Sequence, residues 1–243
     1  MPHPTARTEI LIGSEGLAVL GEKHVLVAGL GGVGSYAAEA IARAGVGRMT
    51  LLDHDLVAPS NINRQLPALH STIGRPKTEL MAARLTDINP DLALELKSDF
   101  LEPGAAEPTI QGGDYDYVMD CIDSLACKAA LVAACQSQGV KVASSMGAGN
   151  RLDVTRVRVA TLDQTQGCPL AREMRKRLRT LGADLKYPVV FSDEPRRQPL
   201  PHAPVGGNRR ARAVNGTISY LPPLFGMMLA GVVIKAFLDK AGL

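Results

Sequence analysis

Asn61, Arg64 and Lys77 are the first residues whose types and spacing suggest chemistry. An Arg can fork two donors onto a phosphate, and a Lys adds a point charge. With an Asn beside them they suit a triphosphate, whose charge must be met while pyrophosphate leaves. Asp123, in Asp120-Cys121-Ile122-Asp123-Ser124, is a carboxylate able to hold Mg²⁺ through water or to accept from a nucleotide. It reads equally well as a helix N-cap before Leu125. Asp53 lies 19 residues beyond Gly34, at the end of an apolar run, the place where an acid holds ribose hydroxyls.

Such residues need a scaffold that brings them together, and the stretch before them supplies one. His24-Val-Leu-Val-Ala28 reads as a buried strand, Gly29-Leu-Gly31-Gly32-Val-Gly34 as a turn, and Ser35 to Ala44 as a helix. With Met49-Thr-Leu-Leu52 the first β-α-β unit spans residues 24–52. Gly29 suits the tight turn, Gly31 and Gly32 allow a ligand close to the backbone, and Gly34 lets the helix pack near the strand. The free N–H groups at such a helix start hold phosphate. By itself the pattern fits a dinucleotide site, hence an NAD dehydrogenase, or a glycine turn without a ligand. The triad Asn61, Arg64 and Lys77 favours ATP used to activate a carboxylate.

Further along, residues 53–76 read as a long loop with short helical turns, and a long ordered loop is often functional. Helices are expected over Lys77–Asn89, Leu125–Gln138 and Pro169–Leu181, and strands over 92–96, 115–120, 140–144 and, at an edge, 156–160. Ser144 to Gly149 is a small-residue turn that a substrate can approach. Thr5 to Leu20 is a leading helical segment broken by Gly13. The Pro169–Leu181 helix carries Arg172, Arg175, Lys176, Arg177 and Arg179, and basic residues continue at Arg196, Arg197, Arg209, Arg210 and Arg212. Residues 193–213 are rich in Pro, Gly and Arg and are expected to be disordered, ordering on RNA. Pro222-Pro223 marks the start of a last apolar helix, with Gly226 and Gly231 allowing close packing. Its uncharged run, Ile218 to Ile234, is 17 residues, against about 20 for a membrane span. It reads as a core or dimer-interface helix, and no membrane is expected.

The 243 residues suffice for one large α/β domain or a domain with a lobe, and 46% are hydrophobic. The net charge is +3, but residues 151–213 hold 14 Lys/Arg against 6 Asp/Glu. The expected fold is a Rossmann-like, doubly wound, mostly parallel sheet with a basic, partly disordered C-terminal lobe and a final apolar helix. Residues 1–150 form the ATP-binding part, and 151–243 the basic lobe plus the last helix, continuous with it. The four cysteines show no Cys-x-x-Cys spacing, which argues against a Cys-rich zinc site and a disulfide scaffold. Cys168 is a lone candidate nucleophile without a visible base. No secretion signal is read, and a reducing cytoplasm is expected.

Gly-x-Gly-Gly-Val-Gly, Asp-x-Asp-x-Val-x-x-Ser-Asn-x-x-Arg-Gln, Gly-x-x-Lys and Asp-Cys-x-Asp together resemble the ThiF/MoeB/ubiquitin-activating superfamily of adenylating enzymes. The opening Arg7-Thr-Glu-Ile-Leu-Ile-Gly13, the basic Pro169-Leu-Ala-Arg helix and Val189-Val-Phe-Ser-Asp-Glu-Pro195 are similar to the branch that dehydrates threonylcarbamoyladenosine in tRNA. The resemblance implies Gly32 at the ATP phosphates and Asp53 at the ribose. It places Asn61, Arg64 and Lys77 on the triphosphate and Asp123 on Mg²⁺. Arg7 would reach the ATP of a partner subunit, which implies a homodimer. It implies adenylation of the nucleoside's carboxylate, ring closure with loss of AMP, and tRNA as partner. The resemblance also implies cysteine desulfurases or sulfur-acceptor proteins as further partners. Two alternatives share the chemistry or the fold: activation of a carrier protein's C-terminal carboxylate, and a non-catalytic role in sulfur transfer.

Overall fold

The computed structural model describes residues 4–198, 200 and 215–243. Arg209, Arg210, Arg212 and most of the Pro/Gly/Arg-rich stretch lie outside the described residues. Among the described residues, seven strands form one sheet in the order β3-β2-β1-β4-β5-β7-β6. They are β1 (His24–Ala28), β2 (Arg48–Leu52), β3 (Ala93–Lys97), β4 (Tyr117–Asp120), β5 (Lys141–Ser145), β6 (Val157–Thr161) and β7 (Pro188–Ser192). All neighbours are parallel except β6, which runs antiparallel to β7 at one edge.

The doubly wound arrangement follows from β1. All five of its residues are buried, and side chains alternate between the two faces of a strand. Val25 and Val27 belong to one core with Ile41, Met49, Met81, Phe225 and Val233. Leu26 and Ala28 belong to a second core with Val118, Val132, Met174 and Phe191. The first face is covered by α1 (Ala6–Gly21), α2 (Gly34–Arg43), α3 (Lys77–Ile88) and α7 (Leu221–Ala241), the second by α4 (Ala106–Gln111), α5 (Leu125–Ser137) and α6 (Pro169–Thr180). Burial on both faces is why these strands read as continuous apolar runs.

α7 begins with Pro222 and Pro223 in its first turn. Leu221, Phe225, Leu229, Val233 and Phe237 are buried at every fourth position, a single stripe facing the core. By length and composition α7 would pass for a membrane span, but this stripe packs on the sheet and α2. A Cβ at Gly226 would sit 2.2 Å from the Val33 carbonyl oxygen, so α7 meets the start of α2 only with glycine there. Gly231 faces open space within this chain.

Gly13, at φ 72°, breaks α1 as expected. Its first part leaves Ile10 and Leu11 largely exposed. Two elements escape the sequence reading. α4 is six residues long with Pro108 inside it, too short for a period to show. β7 inserts between β5 and β6, a long-range pairing that no local pattern announces.

Candidate functional site: a cleft at the strand ends

The chain order reverses at β1, whose neighbours are β2 on one side and β4 on the other. Ligands of open α/β sheets sit outside the strand carboxyl ends at such a switch point. Here a cleft of about 440 Å³ opens where β1, β2, β4 and β5 end.

The glycine turn forms its floor. Gly29 has φ 89°, and a Cβ there would meet the Cys121 carbonyl oxygen at 2.9 Å. A Cβ on Gly34 would fall 1.7 Å from the Gly29 oxygen, so the turn closes onto α2 only with glycine at 34. Gly31 and Gly32 line the cleft. Ser35 Oγ donates to the Gly31 oxygen (2.6 Å) and accepts from the Leu66 N–H (3.3 Å), tying the long loop to the turn. That loop is ordered, with 3₁₀ turns at Pro59–Asn61 and His70–Thr72.

Asp53 lines the cleft but also braces it: its carboxylate accepts from the Leu30 N–H (2.5 Å) and the Asp55 N–H (2.8 Å). Lys77, the first residue of α3, is 3% exposed, and its Nζ donates to Asp55 Oδ2 at 2.7 Å. Arg64 lines the cleft and donates to the Ser60 oxygen and to Asn63 Oδ1, both at 2.8 Å. Burial pulls its guanidinium below the ordinary value, with Asp123 opposing, and an Arg so shifted still carries its charge. Asp123 is exposed in the cleft wall and has no hydrogen-bond partner among the described residues. The N-cap of α5 is Ser124, so the capping role weighed for Asp123 is not the one it has. Gln65 Oε1, also in the cleft wall, is buried without a partner, a vacant acceptor beside Gly31.

Three of the expected residues do not line the cleft: Gly34 lies beneath the turn, and Asn61 and Arg7 point elsewhere. Asn61 turns back on its own loop, where its Oδ1 accepts from the Ala58 N–H at 3.0 Å. Arg7 is exposed on α1, outside this cleft. For a metal, the ligand atoms of Asp53, His54 and Asp55 lie within 4.8 Å of one another. Backbone N–H groups and Lys77 already engage those two acids, which leaves Asp123 as the unengaged carboxylate.

Several parts around the cleft were not read from the sequence. Lys128 and Asp120 form an ion pair at 2.8 Å with both side chains fully buried. Asp120 also accepts from Ser144 Oγ (2.6 Å) and the Ile122 N–H (3.2 Å), joining the ends of β4 and β5 under the cleft. The signal was present: Lys128 is the lone charge in α5. Arg151 and Asn150 also escaped, since their partners are far away in sequence. Cys121, Cys127 and Cys168 line the cleft, but burial pushes the Cys121 thiol up to about 12, which removes it as a nucleophile near neutrality. All four cysteines are unpaired.

The basic face of α6 is narrower than its composition. Arg175 turns inward and donates to the Leu162 and Thr165 oxygens (3.3 and 3.0 Å). Arg172, Lys176, Arg177 and Arg179 are exposed, while Pro169 and Leu170 at its start line the cleft.

Residues 5–242 match the profile of the ThiF family. A Bacillus subtilis tRNA threonylcarbamoyladenosine dehydratase is 40% identical over 250 aligned positions, covering 98% of this chain and 96% of that one. The structure of E. coli tRNA N6-threonylcarbamoyladenosine dehydratase, TcdA, in complex with AMP superposes with a TM-score of 0.88 at 33% identity, covering 100% of this chain and 98% of that one. The ATP complex of the same E. coli protein gives 0.86 at 33% identity, with the same coverage.

Proposed function

The chain belongs to the ThiF family, and on that premise we propose that it is an ATP-dependent tRNA threonylcarbamoyladenosine dehydratase. The observation that carries the reading is the cleft itself. A glycine floor, a buried Lys77 and Arg64 line it, in a chain similar from end to end to an E. coli dehydratase solved with ATP and with AMP. The nucleoside's carboxylate attacks the α-phosphorus of ATP, and pyrophosphate leaves. A carbamoyl nitrogen then attacks the activated acyl carbon, AMP departs, and a ring closes with net loss of water. No protein nucleophile is needed, in keeping with three buried cysteines and the raised thiol of the half-buried Cys121.

Each residue's part follows from its place. Gly29, Gly31, Gly32 and Gly34 set backbone N–H groups at the start of α2 against the phosphates. Asp53 fixes the turn and offers its remaining lone pairs to ribose hydroxyls. Arg64 and Lys77 meet the charge that develops as pyrophosphate leaves. Asn61 holds the loop that presents Arg64, through its Oδ1 on the Ala58 N–H. Asp123 would hold Mg²⁺, which would supply charge neutralisation of the phosphates. The exposed Asp123 carboxylate suits a hydrated cation, and the vacant Gln65 Oε1 is an acceptor for a nucleotide N–H or O–H.

Arg7 acts on the cleft of a second copy: it is exposed, lies off its own cleft, and stands beside the exposed Ile10 and Leu11. The homodimer is thus part of the proposal. tRNA phosphates lie along Arg172, Lys176 and Arg179, which extend the cleft mouth from α6. A cytoplasmic location goes with the reading as a tRNA-modifying enzyme. Sulfur-transfer proteins are proposed as further partners on the resemblance alone.

The test is incubation of the purified protein with ATP, Mg²⁺ and tRNA bearing threonylcarbamoyladenosine, followed by mild digestion and mass spectrometry. A nucleoside lighter by one water, absent with Arg64→Ala, is the expected result. ATP binding with no mass change refutes the substrate and leaves the adenylating fold.

A further inference from the structure

The cleft has a second half, away from the glycine floor, walled by Gly147, Gly149, Cys168, Arg196 and Asn215. Its shape depends on two consecutive residues. Asn150 is the one non-glycine with positive φ (60°) among the described residues. Asn tolerates this region better than most residues, but backbone held there usually has a reason. In this conformation Asn150 gathers two distant stretches. Its N–H donates to the Gly216 oxygen (2.8 Å), and its oxygen accepts from the Arg197 N–H (2.9 Å). Its Oδ1 accepts from the Gly216 N–H (2.7 Å), and its Nδ2 donates to Asn215 Oδ1 (3.1 Å), which also accepts from Arg196.

Arg151 grips the other side. It is 2% exposed, with Nε on the Glu194 oxygen (3.0 Å) and its terminal nitrogens on the Gly147 and Gly167 oxygens, the latter at 3.1 Å. Gly167 immediately precedes Cys168, and Gly147 follows β5, so one guanidinium sets both loops of this half. Among the described residues no carboxylate pairs with it. A buried, unpaired cation costs the fold free energy, and a neutral donor would brace carbonyls at less cost. An anion bound in the adjoining half-cleft would offset that cost.

We propose that Asn150 and Arg151 are the positioning pair for the second substrate, the carboxylate-bearing nucleoside. Arg151 fixes the 147 and 167 loops around it and makes that half electropositive, and Asn150 fixes Arg196 and Asn215 at its rim. This inference rests on the dehydratase reading above.

The experiment is steady-state kinetics with tRNA bearing threonylcarbamoyladenosine, alongside ATP titration by calorimetry, on wild type, Arg151→Lys and Asn150→Gly. Lys keeps the charge but cannot span three carbonyls, and Gly keeps the positive φ while removing the side-chain ties. Both variants are expected to bind ATP within about twofold of wild type. Each is expected to lose about tenfold or more in kcat/KM for tRNA, the size of a lost positioning contact. Variants equal to wild type in both readouts overturn the inference alone. Equal losses in ATP and tRNA parameters, with a lowered Tm, also overturn it, because the pair would then be a general brace. A wild type that binds ATP but leaves the nucleoside unchanged overturns this inference together with the functional reading.

Discussion

Replacing Lys77 by Met separates a role at the phosphates from a role in the fold. Lys77 is almost wholly buried, but its partner Asp55 is half-exposed, with Nζ–Oδ2 at 2.7 Å. An ion pair with one exposed member contributes about 0.2–1 kcal/mol, and Met retains the packing of the Lys stem. For a chain of 243 residues, such a loss lowers Tm by only about 2–4 °C. A charged donor aimed at developing phosphate charge is worth far more, about 2.7–4 kcal/mol, or roughly 10²–10³ in rate. The variant is therefore expected to melt near the wild type while losing two to three orders of magnitude in ATP–pyrophosphate exchange or dehydration. The loss should fall in kcat, and a change confined to the KM for ATP would mean ground-state binding only. Activity within about tenfold of wild type, at an unchanged Tm, would refute the placement of Lys77 at the triphosphate.

Gly34→Ala forces a Cβ to within 1.7 Å of the Gly29 oxygen, so Tm should drop by the equivalent of about 2 kcal/mol or more, with ATP binding lost; a normal melt would show that the turn can open. Lys128→Met alone leaves Asp120 buried without its counter-charge and should cost about 3–5 kcal/mol in chemical denaturation, whereas Lys128→Met with Asp120→Asn should recover most of it. Arg7→Ala and Lys77→Met, each inactive alone, should regain activity when mixed and allowed to exchange, because a hybrid dimer holds one site with both residues; lasting inactivity would place Arg7 in its own chain's site. Burial, and next Arg48, hold the His24 imidazole below its usual range, while the ring bonds Thr50 and the Asp114 oxygen in neutral form. The stability it contributes is present above the unfolded value of about 6.5 and is lost as pH falls below it. Tm should decline from pH 7 to 5, less steeply in His24→Gln.

What was legible in the sequence was local. The glycine spacing announced the β1–turn–α2 unit because each glycine answers a steric demand within a few residues, as the 1.7 Å approach at Gly34 illustrates. Arg64 and Lys77 could be placed because one lies on the ordered loop after β2 and the other opens α3 at its end. What was not legible depends on partners far along the chain. Arg151 draws its meaning from carbonyls at 147, 167 and 194, and Asn150 from 197 and 216. Arg175 looked like its exposed neighbours on α6 until the 162–165 turn proved to cover it. Asn61, typed as a phosphate ligand, closes its own 3₁₀ turn, a competition that short polar side chains often win.

The rims of the sheet bear on how this chain behaves while it folds. A mostly parallel sheet assembles from distant segments, so its outermost strands spend time unaccompanied in crowded surroundings. Naked strand backbone is a template for stacking onto another molecule. On one rim β3 carries Glu95 and Lys97, joined at 3.0 Å; on the other, Arg158 of β6 and the adjoining Arg156 share Asp193, each at 2.7 Å. Ionised pairs on both flanks make docking of a second strand costly in desolvation. They act as gatekeepers against aggregation in a protein whose apolar content would otherwise invite it.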